Sequence, residues 1–420
     1  MVNCLMVGAG EYTTGCVATA AGAAPDKPAG VIAITMIDLR RRGKVDKLVL
    51  ADVRGSMLPT VRDFMKKKIG AYTDMDVTMT THPADDVELK LDAYKDAIKE
   101  MNKGDVVTIF TPDDTHFPIA MDCIKAGLHV LIAKPAVKTL DHHRQLNDAA
   151  REHGVLVAVE YHKRFDPVYT DAKDRIRQLG GFSFFNATMT QAKAQLDTFR
   201  GWAGKSSDIS YYLNSHHIDI HCWAALHLAR PIRVTASSCT GVAEKRLEVD
   251  HTIEDTITLM VQWQNFEDGS LGTALYTSSW AAPKADCHTQ QYFHYMGHKG
   301  ELRADQCHRG FNWSTDENGF AALNPLYMKY TPSGTGHFAG QQGYGYRSLE
   351  LFVDAAEAVN AGKTTPQGCT DEGVLATIDS TLAVTAILEA GRRSLDNKGA
   401  AVEIIYSDAT STQPADLKLA

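Results

Sequence analysis

Residues 3–7 form a short apolar run that ends on Gly8-Ala9-Gly10-Glu11-Tyr12-Thr13-Thr14-Gly15. The pattern predicts a strand entering a tight glycine turn at the head of a helix. A small-residue stretch over 18–30 follows, and residues 31–39 read as a helix. Its basic, glycine-closed end, Arg40-Arg41-Arg42-Gly43, suits the helix dipole and is expected to be solvated. Residues 47–52 read as a second strand ending in an acid. Residues 106–110 are unbroken apolar, the signature of a strand buried on both faces. Residues 117–128 then show helical spacing, 129–132 a strand, 139–153 a helix and 155–160 a further strand. This alternation predicts an α/β fold: a Rossmann-type, doubly wound parallel sheet with ligands at the C-terminal ends of its strands.

From about residue 182 the texture changes. Residues 182–190, 232–238, 256–263, 271–279 and 290–296 are β-rich runs with turn residues but few helices between them. They predict one large, mostly antiparallel sheet. A helix centred on 216–228 interrupts the series, and helices over 348–361 and 372–394 and a strand over 402–406 follow. The expected division is a dinucleotide-binding domain over 1–163, an α+β substrate and oligomerisation domain over 164–406, and a disordered polar tail over 407–420. A chain of 420 residues supports two cores.

Composition narrows the function classes. The net charge of −8 argues against nucleic acid or an anionic membrane as partner. Eight scattered cysteines without a C-x-x-C pair read as reduced thiols rather than a disulfide framework. With no leader-like start and no long apolar run, the expected location is the cytoplasm.

The chemistry concentrates at strand ends. Gly8 and Gly10 let the backbone approach a pyrophosphate, with Glu11, Tyr12, Thr13 and Thr14 opening the helix beside it. Asp52 stands where an acid binds the adenosine ribose and favours NAD, although it follows Gly8 by 44 residues, about twice the usual interval. Arg54 and Ser56, just beyond, suit a 2′-phosphate instead, which leaves NAD against NADP open. Lys134, at the exit of a buried strand and fixed by Pro135, is positioned to exchange a proton with a substrate oxygen. On the helix that begins near Tyr211, four-residue spacing aligns Tyr212 with His216 and His217 with His221. The latter pair lacks a flanking Glu and a third ligand, so no metal is expected. His216 reads as an acid–base with Tyr212 beside it, and Asn214 and His217 as neighbours of the substrate. Lys163, Arg164, Lys193 and Arg200 are candidate partners for a carboxylate.

Taken together, these residues resemble the glucose–fructose oxidoreductase/inositol dehydrogenase (Gfo/Idh/MocA) family. The resemblance runs through the glycine turn, Thr111-Pro112-Asp113 with His116, Lys134-Pro135, Arg164-Phe165-Asp166-Pro167, His216-x-x-Asp219 and the turn at Gly297-His298-Lys299-Gly300. It implies a Rossmann domain and an open-faced sheet domain with nicotinamide and substrate between them. It also implies Thr111, Pro112, Asp113 and His116 near the cofactor, and hydride transfer assisted by Lys134 and His216. Ala133 stands where the family commonly has Glu, and Tyr212 where it commonly has Asp. The segments 11–15, 39–45, 162–167 and 207–219 are similar to the fungal D-galacturonate reductase branch. That similarity implies an NAD(P)H-dependent reductase acting on a sugar acid, most of all D-galacturonate; a sheet domain with one broad face free of helices is expected to form homo-oligomers through that face. An aldose or inositol dehydrogenase and a non-catalytic dinucleotide-binding regulator are the alternatives.

Overall fold

The computed structural model describes residues 1–17, 27–317 and 319–420, so most of the small-residue stretch over 18–30 lies outside the described residues. The chain divides into two units: Met1–Ala136 with Arg144–Phe165 and Pro325–Ser380, and Val137–His143 with Asp166–Asn324 and Thr381–Ala420. The segment Pro325–Ser380 was expected in the second domain and lies in the first unit instead.

The first unit is built on β1 (Val2–Val7), β2 (Val45–Ala51), β3 (Thr80–His82), β4 (Val106–Ile109), β5 (His129–Ile132) and β6 (Val157–Val159). All pair in parallel, in the order β3-β2-β1-β4-β5-β6. The order reverses at β1/β4, which places a ligand crevice at the C-terminal ends of those two strands. The helix Ile32–Arg41 buries Ile34, Met36 and Ile37 in a core shared with Leu349, Phe352 and Val353 of the helix Tyr344–Asn360. That late helix is apolar on one face, and the face finds its cover here, which is why the segment returns to this unit. Its charges also give the arginine run, which stays at the surface as expected, acidic partners. Arg42 bonds Tyr346 Oη at 2.7 Å and pairs with buried Glu350, and Arg41 pairs with Asp38.

The second unit carries β7 (Phe182–Ala192), β8 (Ala229–Thr240), β9 (Glu254–Asn265), β10 (Leu271–Ala282), β11 (Thr289–Gly297), β12 (Gly300–Asp305), a small hairpin of β13 (Asn312–Thr315) and β14 (Gly319–Ala322), then β15 (Val402–Tyr406) and β16 (Pro414–Leu419). The large sheet runs β12-β11-β7-β10-β9-β8-β15-β16. It is antiparallel except where β10 meets β7. Two-residue alternation buries Ile257, Leu259, Val261 and Trp263 on one face and leaves Thr256, Thr258 and Met260 on the other. The helices Ser215–Ala225 and Leu382–Asp396 pack with each other, and the latter covers β8 and β15.

Two expectations fail locally. The tail over 407–420 is not disordered: β16 pairs with β15, burying Leu417, whose carbonyl accepts from Arg393 at 2.9 Å. Mean polarity hid that alternation. The helix expected over 372–394 is two, Pro366–Glu372 and Leu382–Asp396, separated at Gly373, whose φ of +66° ends the first. Among the described residues no helix is long and apolar enough to cross a membrane.

Candidate active site

In the first unit the glycine turn leaves β1 at the switch point. Gly8 has φ +98°, and a Cβ there would lie 2.2 Å from the Phe110 carbonyl oxygen, so only glycine fits between β1 and β4. A Cβ on Gly10, by contrast, meets nothing within 4 Å. The turn therefore presses against protein at Gly8 and is open at Gly10, where a pyrophosphate would approach. Thr13 is buried, and its hydroxyl has no hydrogen-bond partner among the described residues. These features fit a dinucleotide, held through the amides of the turn and the Thr13 hydroxyl. Thr14 turns inward, donating to the Ala9 carbonyl at 2.9 Å.

Asp52 is tied to this turn. One carboxylate oxygen accepts the Ala9 N–H at 2.8 Å and the other the Arg54 N–H at 3.2 Å. Arg54 is exposed, and the Ser56 hydroxyl donates to Glu88 at 3.2 Å. Asp52 therefore braces the glycine turn from the strand end, a role the sequence reading did not assign.

Thr111, Pro112 and Asp113 leave β4, and His116 clips this turn to the next. Its ring nitrogens lie 2.9 Å from the carbonyl oxygens of Pro135 and Thr111. His116 thus ties the residue that follows Lys134 to the turn that leaves β4. Lys134 is half-buried at the exit of β5. Desolvation pushes its ammonium down to about 7, against the opposing pull of the Asp113 and Glu160 carboxylates and with a further push from Lys27.

Glu160 is the residue that sequence reasoning missed. Buried at the end of β6, it accepts from Ser348 Oγ at 3.0 Å and lies 2.9 Å from His162 Nδ1. Tyr12 Oη is 3.4 Å from both Glu160 and His162 and receives a 3.0 Å hydrogen bond from Tyr327. The Tyr12 ring stacks on Phe110 at 5.1 Å, and His162 stacks on Tyr344 at 5.7 Å. Burial and the Glu160 charge hold the Tyr12 phenol protonated, well above its ordinary range. The available signal was an acid closing an apolar strand, the same signal that singled out Asp52. Lys163 and Arg164 are both buried in this unit, and Arg164 donates to the Leu375 carbonyl at 3.4 Å.

In the second unit, Ser210–Asn214 is a turn of π-helix running into the α-helix Ser215–Ala225. Such a turn closes its hydrogen bonds over five residues rather than four. Tyr212 joins Phe199 and Trp202, with ring centroids 5.1 and 5.3 Å away. Asp208 starts the helix by accepting the N–H groups of Ser210 and Tyr211 at 2.8 and 2.9 Å, and burial pushes its carboxyl up to about 6. His216 is buried. Asn214 donates to Ser210 Oγ at 3.1 Å. His217 lies 3.2 Å from Tyr169 Oη, and His221 Nδ1 lies 2.6 Å from Tyr276 Oη between aromatic rings. Desolvation lowers His221 to about 3, which keeps it neutral. The two histidines of the i, i+4 pair are therefore each engaged by a tyrosine. Lys193 follows β7, and Arg200 donates to the Leu247 carbonyl.

Residues 2–161 match the family model described as an oxidoreductase family with an NAD-binding Rossmann fold (GFO_IDH_MocA). Among curated proteins, an uncharacterized oxidoreductase of Escherichia coli, YdgJ, is 33% identical over 118 residues, covering 27% of this chain and 34% of that protein. The NADP-dependent scyllo-inositol 2-dehydrogenase IolW of Bacillus subtilis is 31% identical over 137 residues, covering 32% and 37%. The chain thus spans about a third of the length of these relatives. Among solved structures, GenD2 from gentamicin A biosynthesis in complex with NAD superposes with a TM-score of 0.63 at 21% identity, covering 96% of this chain and 97% of that one. The scyllo-inositol dehydrogenase from Lactobacillus casei with NAD(H) and scyllo-inositol gives 0.60 at 15% identity, covering 96% and 99%, a likeness of fold. With a glycine turn at the β1/β4 switch point, the strands of residues 2–161 carry the match to the Gfo/Idh/MocA model of NAD-binding Rossmann oxidoreductases, and that part of the chain is an NAD-binding Rossmann fold.

Proposed function

We propose that the protein is an NAD(P)H-dependent oxidoreductase that reduces the aldehyde carbon of a uronic acid, with D-galacturonate to L-galactonate as the leading reaction. The observation that carries this reading is Lys134, half-buried at the exit of β5 between the charges of Asp113 and Glu160 and shifted to about 7. A lysine that titrates near neutrality is available as the ammonium that hydrogen-bonds a carbonyl oxygen. The bound nicotinamide would supply the hydride. In this reading Lys134 orients and polarises the substrate oxygen, and His216 or Tyr212 supplies the proton. One of Lys163, Arg164, Lys193 or Arg200 meets the substrate carboxylate, and Arg164 and Arg200 already donate to backbone carbonyls. The choice of a uronate rests on the resemblance of residues 162–167 and 207–219 to the galacturonate reductase branch.

A second reading, an NAD-dependent inositol or aldose dehydrogenase, is favoured by Asp52 at the end of β2 and by inositol dehydrogenases among the matched relatives, one of them NAD-dependent. The deciding assay follows NADPH and NADH at 340 nm against D-galacturonate, D-glucuronate, D-galactose and D-xylose, with myo- and scyllo-inositol run in the oxidative direction. Consumption confined to uronates is expected. Activity on inositols alone would replace the first reading with the second. Silence throughout, with dinucleotide still bound, would leave a regulator that senses the cofactor. We further propose that copies pair through the open face of the large sheet.

A further inference from the structure

Apart from the nucleotide-binding residues, one cluster in the second unit brings together two sulfurs, an imidazole and two carboxylates. Cys287, before β11, and Cys307, after β12, are joined as a disulfide with Cα atoms 6.3 Å apart, which corrects the expectation of eight reduced thiols; the other six cysteines carry no disulfide. His308 Nε2 lies 3.8 Å from Cys307 Sγ and 3.2 Å from an Asp286 carboxylate oxygen. Its other nitrogen, Nδ1, lies 2.9 Å from Asp305 Oδ2. The ligand atoms of Cys287, Cys307 and His308 all fall within 4.8 Å of one another. The N–H groups of Cys307 and His308 donate to Asp305 Oδ1 at 2.9 and 3.0 Å, which fixes the turn that presents them.

A zinc-type cation takes thiolate, imidazole and carboxylate in a tetrahedron. Bonds of about 2.3 Å to sulfur and about 2.0 Å to nitrogen or oxygen give ligand–ligand edges of roughly 3.2–3.8 Å. The His308 separations from Cys307 Sγ and from the Asp286 carboxylate, 3.8 and 3.2 Å, already lie in that range, and the two bonded sulfurs must part. A carboxylate on the far nitrogen is the partner that fixes the tautomer and orientation of a metal-bound histidine. His308 is 50% exposed on its side chain, so a cation can reach it.

We propose that Cys287, Cys307, His308 and Asp286 form a redox-gated site for a zinc-type divalent cation, with Asp305 orienting His308. Filling it requires reduction first. A dithiol reductant gives two electrons and two protons to the disulfide, producing two thiols and leaving as its own disulfide. Cation binding then displaces both thiol protons into solvent. In either state the same two segments stay linked, and the second of them carries Gln306 and Arg309, whose side chains hold the buried Asp166. The cation thus takes over the cross-link when the disulfide is open. The proposal is independent of the substrate reading.

The test uses the full chain with Co²⁺ and Zn²⁺ as probes. In reduced, metal-free protein, Co²⁺ is expected to give thiolate charge-transfer and tetrahedral d–d bands saturating at one ion per chain and displaced by Zn²⁺; the oxidised protein gives none. The bands vanish in Cys287→Ser and in Cys307→Ser. Asp305→Asn, which keeps every ligand, weakens binding about 10–100-fold. Absence of the bands in reduced wild type, or their survival in both serine variants, overturns the site. If the serine variants fail to fold, His308→Ala retains both thiols, and unchanged binding there overturns it equally.

Discussion

A lysine ammonium drawn partly out of water loses hydration that nearby carboxylates return only in part, and Lys134 shows the balance. Burial moves it down, Asp113 and Glu160 pull it back, and the result lies near 7. In the proposed mechanism reduction uses the protonated lysine, so kcat/KM for reduction is expected to fall as pH rises through about 7, while the oxidative direction gains. Lys134→Met should lower kcat by about 10²–10⁴-fold while leaving dinucleotide binding intact; near-normal turnover would remove Lys134 from the mechanism. Glu160→Gln removes one attraction and should move the reductive profile to lower pH. A profile that stays in place would show that Glu160 is only packing. Lys134 itself was legible in the sequence, because a lysine and proline closing a buried strand form a local pattern. Glu160 was not, since its partners Tyr12, His162 and Ser348 come from three separate stretches of chain.

Among elements, the helix Pro167–Ile176 shows how one residue type serves two purposes. Asp166 caps it, accepting the Val168 N–H at 3.0 Å, and is fully buried against Arg309 and Gln306. The Asp-Pro pair is a readable helix start; the arginine, 143 residues away, is not. Asp166→Ala would leave a buried guanidinium unpaired and is expected to cost about 3–5 kcal/mol, read as a lower urea midpoint. An unchanged midpoint would mean that the pair contributes nothing net. The arginine run at 40–42 carries the complementary lesson. Its charge was plain, and its acidic partner Glu350 became visible only when the late helix packed beside it.

For the molecule as a whole, two units are drawn from interleaved pieces of one chain, each with its own sheet. On the large sheet the face opposite the helices exposes Met260 at 49% and Tyr292 at 47%. Apolar residues standing on an uncovered sheet face mark a surface for association. Light scattering on the wild type is expected to report an oligomer, and Met260→Lys with Tyr292→Lys a smaller species that retains dinucleotide binding. A wild-type monomer would end that proposal.

Sequence by itself determined the local and the periodic. The strand into Gly8-x-Gly10, the parallel-strand runs at 106–109 and 129–132, and the two-residue alternation of the large sheet all follow from steric and hydrophobic rules acting over a few residues. Only the tertiary structure decided what depends on distant segments meeting. That includes the return of Pro325–Ser380 to the first unit, the pairing of the polar tail as β16, and the bracing of the glycine turn by Asp52. It also includes the convergence of Cys287, Cys307 and His308. Such contacts are fixed by which buried faces find one another, and a linear pattern carries a face's hydrophobicity without the identity of its partner.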